Sequence, residues 1–161
     1  MVFLGLSNNM LQTDEGADTF VSSTILKYGA PYHQDEKNYT MEHAKVREDG
    51  LFIYRTWIPY YLQASSLYFL GETTFAARLP FALSGVMSVI ALYFFTFKLT
   101  KKKSTAFLAT LLLISSVPAL VYFRTARYVG LPILLTILLL NSYVTIFEKK
   151  KWNHWPLTLL S

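Results

Sequence analysis

Two carboxylates stand side by side at Asp14 and Glu15, and two arginines stand three residues apart at Arg124 and Arg127. Adjacent carboxylates at the start of a segment can supply a general base together with a positioning or metal-binding group. The structural alternative is equally physical, because acids in the first turn of a helix complement its dipole and satisfy open N–H groups. Arginines three apart share a helix face. A guanidinium suits phosphate because it is planar, always charged and able to bind in bidentate fashion. Snorkelling at a helix end is the competing account. Arg78 precedes a long apolar run, where it is either a third phosphate ligand or an anchor for that helix end.

Other chemistry-bearing residues are less directive. His33 and His43 with Asp35, Glu36 and Glu42 match no metal-ligand spacing and read as solvated loop residues. Asn38-Tyr39-Thr40 is a glycosylation triplet. Trp57, Tyr60, Tyr61 and Tyr68 fit an interfacial aromatic belt as well as they fit a sugar platform. The absence of cysteine excludes disulfides and thiolate metal sites.

The elements that must position these groups are apolar. Hydrophobic residues make up 53% of the chain and charged ones 16%. No charge falls in 79–97, 104–123 or 128–147, runs of 19, 20 and 20 residues. A helix needs about 20 apolar residues to cross the hydrocarbon layer. Soluble core helices keep a polar stripe, and LATLLLIS and LPILLTILLL have none. The pattern predicts an all-α polytopic membrane protein with spans at those three runs. Residues 1–13 read as the end of a first transmembrane helix whose start is missing, and 155–161 as the start of another that is cut short.

Charge placement sets the orientation. Lys98 with Lys101–Lys103, and Lys149–Lys151, flank the apolar runs. By the positive-inside rule the connections 98–103 and 148–154 are cytoplasmic, with a net charge of +6. The long loop 14–78 carries −3 and is extracytoplasmic, as is the turn 124–127 at +2. The overall charge of +5 is therefore spent on topology, and no basic face for nucleic acid is visible. Asp14, Glu15, Arg78, Arg124 and Arg127 then converge on one outer face of the bilayer. That membrane is the plasma or inner membrane, or the endoplasmic reticulum in a eukaryote.

Within the loop, Thr13 or Asp14 caps a predicted amphipathic helix through Ala17, Phe20, Val21, Thr24, Ile25 and Tyr28. Gly29 and Pro31 stop it. A second helix starts near Pro59 and runs to Gly71. Both suit the membrane interface. The polar stretch 33–50 between them reads as a flexible surface loop.

Taken together, the Asp-Glu pair, ILKYGAPY, PYYLQASSLYFLGETTFAARLPFALSGV and FRTARYVGLPILLTILLLNSYVTIFEKKK resemble the GT-C glycosyltransferases. The likeness is to the group holding protein O-mannosyltransferases and the aminoarabinose transferase of lipid A. It implies N-terminal transmembrane helices with a long first extracytoplasmic loop, in an enzyme that moves a sugar from a polyprenyl-phosphate carrier to a hydroxyl of protein, lipid or glycan, with inversion. Asp14 then acts as base with Glu15 beside it, and Arg127 and Arg124 approach the donor phosphate. Many members carry an acid shortly after these arginines. Here Val129, Gly130 and Pro132 occupy that stretch, which argues against a metal ligand there and leaves a divalent metal only as an open alternative.

Two other classes compete with an enzyme fragment of this kind. A non-catalytic membrane subunit or degenerate transferase predicts that Asp14 is dispensable. A transporter would favour charged or broken helices at mid-membrane depth, whereas the charges here sit at the ends of the runs.

Overall fold

A computed structural model describes residues 2–3, 5–40 and 47–149, with the backbone alone at 147–149. The expected segment 155–161 and most of 148–154 lie outside the described residues, as do Glu42 and His43. Among the described residues the fold is all-helical, with no strand. The helices are α1 (Thr13–Tyr28), α2 (Ile58–Leu70), α3 (Thr74–Thr100), α4 (Lys103–Ser115), α5 (Val117–Arg124) and α6 (Gly130–Lys149).

Local signals set the first two helices. Glu15 Oε2 accepts from the Gln12 backbone N–H at 3.0 Å, closing the first turn of α1. Gly29 ends the helix at φ 77°, its N–H donating to Ile25 O at 2.8 Å. That left-handed geometry favours glycine. Pro59 opens α2 in its first turn. Val21 and Ile25 of α1 pack with Phe52, Tyr60 and Ala64 in one core cluster. Before α1, residues 5–12 form turns and extended chain, so the stretch expected as a helix end is not helical there.

α3 is the axis of the molecule and packs against α2, α4, α5 and α6. Thr73 caps it, its Oγ1 accepting from Ala76 N at 3.1 Å. Pro80 within α3 has no N–H for the Ala76 carbonyl, and Ser66 Oγ of α2 donates to that carbonyl instead at 2.7 Å. The surface of α3 is inverted relative to a water-soluble helix. Ser84, Gly85 and Ser88 are buried, while Leu83, Met87, Ile90 and Phe94 lie on the outside at successive turns. Small residues inside and large apolar ones outside suit a lipid solvent. At 27 residues, α3 is the one helix among the described residues long and apolar enough to cross a membrane alone.

The run 104–123, expected as one span, is broken. α4 and α5 meet at Ser116 with a 66° bend. Pro118 supplies the cause, since it lacks the N–H that would bond Ile114 O and its ring crowds that carbonyl. α6 carries a shorter apolar stretch, Gly130–Ile146.

The described parts of the loop between α1 and α2 are tied together. Isolated antiparallel bridges join Tyr32 to Leu51 and Gln34 to Tyr39. Phe52 N donates to Pro31 O at 2.9 Å and His33 N to Gly50 O at 3.1 Å. The described residues of the stretch expected as a flexible surface loop thus fold back onto themselves, and the chain delivers Arg55 to the start of α2.

Candidate active site

α1, α3 and the turn at 125–129 meet around two acids. Glu15 is fully buried. Its Oε1 accepts from Arg78 Nε at 3.0 Å and from Ala126 N at 2.6 Å. Its Oε2 accepts from Arg78 Nη2 at 2.9 Å. Arg78 also donates through Nη1 to Leu6 O and Asn9 O and through Nη2 to Met10 O. All five N–H groups of this guanidinium are thereby engaged within the protein. Burial alone would raise the Glu15 pKa, but the Arg78, Gln12 and Ala126 donors outweigh it and hold the carboxyl below its usual range. Glu15, expected beside the base, and Arg78, expected as a phosphate ligand or a helix-end anchor, are thus engaged with each other inside the protein.

Asp14, one residue earlier on α1, points the other way. Its side chain is 57% exposed and its Oδ2 lies 3.1 Å from Arg127 Nη1. Arg127 Nε is buried without a hydrogen-bond partner among the described residues. Arg124, at the end of α5, is exposed and lines a cavity of about 330 Å³ with Asn9, Gln12, Val121 and Thr125. The structure therefore brings the exposed acid and one arginine of the 124–127 pair into contact, with the second arginine on a nearby cavity wall.

A neighbouring polar cluster was not singled out in the sequence. Asp18 is 4% exposed and is gripped by Arg55 Nη1. Tyr60 Oη donates to Asp18 Oδ1 at 3.1 Å. Burial and the Asp18 charge push the Tyr60 hydroxyl well above its usual pKa, so it stays a donor. One turn on, Ser22 Oγ donates to Gln63 Oε1 at 2.7 Å, and Gln63 Nε2 donates to Thr19 Oγ1 at 2.9 Å and Ala77 O at 3.1 Å. The available signal was spacing, because Asp14, Asp18 and Ser22 recur every four residues on α1.

On the far side of Tyr128, an apolar groove of about 410 Å³ runs between the start of α2 and α6, lined by Ile58, Pro59, Leu131, Leu135 and Leu139. Among the described residues no three His, Cys, Asp or Glu side chains group as metal ligands. His33, Asp35 and Glu36 lie in the loop, where Asp35 pairs with Lys27 at 2.8 Å.

A family model described as dolichyl-phosphate-mannose-protein mannosyltransferase matches residues 55–161. The matched stretch contains Arg55, Arg78, Arg124 and Arg127 and begins after Asp14, Glu15 and Asp18. No curated protein and no solved structure matches the chain.

Proposed function

Because the chain belongs to the dolichyl-phosphate-mannose-protein mannosyltransferase family, a family of membrane glycosyltransferases with lipid-linked sugar donors, we propose that Asp14, Arg127 and Arg124 are its reacting face. The observation that carries this reading is the Asp14–Arg127 pair, which joins the first helix to the α5–α6 turn at 3.1 Å. It is a solvent-reachable carboxylate and guanidinium at the rim of apolar helices, as a reaction between a lipid-borne phosphosugar and a polar acceptor requires.

The donor is a polyprenyl-phosphate sugar and the acceptor a hydroxyl on the extracytoplasmic side. The chain is multi-pass, with 14–78 outside. The acceptor oxygen attacks the anomeric carbon from the face opposite the phosphate, and the bond from that carbon to the phosphate oxygen breaks, with inversion. The transition state is oxocarbenium-like. Asp14 takes the acceptor proton as the new bond forms. Arg127 and Arg124 stabilise the charge gathering on the departing lipid phosphate. The arriving phosphate competes with Asp14 for Arg127, so donor binding itself releases the carboxylate to act as base. Glu15 and Arg78 hold α1 against α3 and the 125–129 turn, keeping the reacting groups in register. The apolar groove beside Tyr128 suits the isoprenoid next to its phosphate.

The test is Asp14→Asn in the complete gene product, assayed in membranes with polyprenyl-phosphate mannose. Transfer should fall by about 10²- to 10⁴-fold with membrane insertion unchanged. Sugar transfer at the unaltered rate excludes the base assignment and favours a non-catalytic subunit.

A further inference from the structure

Arg55 lies outside the mechanism above, yet the geometry ties it to the reacting face. Its guanidinium is held from one side by Asp18, which follows Asp14 by one turn of α1. Its Cζ also lies over the Tyr128 ring, 5.0 Å from its centre, and 5.3 Å from the centre of the Tyr54 ring. Tyr128 is the residue after Arg127. Besides the Glu15–Ala126 hydrogen bond, two links one helical turn apart therefore join α1 to the same short turn: Asp14 to Arg127 directly, and Asp18 to Tyr128 through Arg55. Between Thr125 and Val129 the chain is not helical, so the direction of the Arg127 side chain depends on what holds this backbone. Its Nε finds no partner among the described residues, so once phosphate displaces Asp14 from Nη1 the mounting of the turn sets its aim.

We propose that Arg55 is a positioning residue that, clamped by Asp18 and stacked on Tyr128, aims Arg127 at the donor phosphate beside Asp14. The inference rests on the reading of Asp14 and Arg127 as substrate-facing. A role in stability alone fits the geometry less well, because Tyr128 is 36% exposed and belongs to neither buried hydrophobic cluster. Cation–π contact is directional, so the ring transmits the position of a fixed guanidinium to the backbone that carries it.

The experiment is a cycle in membranes containing the complete gene product, with kcat and donor KM measured per amount of inserted protein. Tyr128→Phe keeps the ring and should retain most of the kcat that Tyr128→Leu loses. Tyr128→Leu should lower kcat by about ten- to a hundredfold, the scale of a small misplacement of a catalytic group, a loss that exceeds any rise in donor KM because leucine keeps the neighbouring groove apolar. In an Arg127→Gln background, Tyr128→Leu should cost nothing further, since the group it aims is gone. Where Tyr128→Leu fails to accumulate, Arg55→Lys takes its place: it keeps the charge against Asp18 and loses the planar face. Losses that multiply in the Arg127→Gln background, or equal losses for Phe and Leu at 128, overturn the proposal. If Arg127→Gln alone leaves kcat intact, the reading of the reacting face is what fails, and the aiming role falls with it.

Discussion

Arg78 on α3 closes a two-point contact on Glu15 of α1, with N···O distances of 3.0 and 2.9 Å across 63 residues of sequence. With the Ala126 N–H on the same carboxylate, the pair fastens the first helix, the axial helix and the α5–α6 turn at one buried point.

Removing one partner of such a pair leaves an uncompensated buried charge. Arg78→Met is expected to destabilise the protein by about 3–5 kcal/mol, read as a lowered unfolding midpoint in detergent. Combining it with Glu15→Gln should cost less than the sum of the two single changes. Additive losses would show that the two side chains do not act together.

The same carboxyl predicts an acid limit. Its folded pKa lies below the ordinary value of 4.5. The stability it contributes is therefore complete above that value and is lost as pH falls through the folded pKa. Unfolding midpoints measured from pH 7 downward should fall in this region for the wild type. They should fall less steeply for Glu15→Gln.

Gly85 fixes how closely α5 lies on α3. A β-carbon there would sit 2.4 Å from Cγ of Phe123, which is itself 2% exposed. Gly85→Val should cost about 1–3 kcal/mol through overpacking, and Phe123→Leu on top of it should restore part of the loss. Thermal unfolding in detergent measures both. No loss in Gly85→Val would mean that the two helices are not in this contact.

Asp35 provides a check on the loop. Hydrogen bonds from Lys27 and from the backbone of Lys37 and Asn38 hold its carboxyl down at about 2. Carboxyl-resolved NMR titration should show that value, and Lys27→Met should raise it toward the ordinary range. An ordinary value in the unaltered protein would mean that Lys27 does not hold Asp35 in solution.

What was legible in the sequence was local or periodic. The Gly29 stop and the Pro59 start mark α1 and α2 because each acts on its own backbone. The uncharged run after Arg78 reads as a membrane-crossing helix because 19 residues pass without a charge. The break at Ser116 was legible in principle from Pro118, but an apolar run scored by composition alone conceals a bend. At the candidate site, Asp14, Arg124 and Arg127 stand out as charges at the ends of apolar segments. The difference between Asp14 and Glu15 does not, because one residue turns the side chain by about 100° around a helix, and which acid faces inward depends on where Arg78 arrives. Asp18 and Arg55 were hidden for the same reason. Their partnership spans 37 residues, and no local rule connects them.

The bend at Ser116 has a geometric consequence for the lipid. Thirteen residues of α4 rise about 20 Å, and the eight of α5 another 12 Å or so if continued straight. Turned through 66°, α5 advances only about 5 Å along the direction of α4. With α4 upright, the pair reaches about 25 Å, short of the hydrocarbon thickness of about 30 Å. Arg124, at the tip, would then be carried sideways and left below the headgroup plane. In the proposed orientation, water and headgroups would dip to meet it, thinning the leaflet at that spot. A carrier phosphate sliding into the dimple would come down to the arginine while its tail stays in oil.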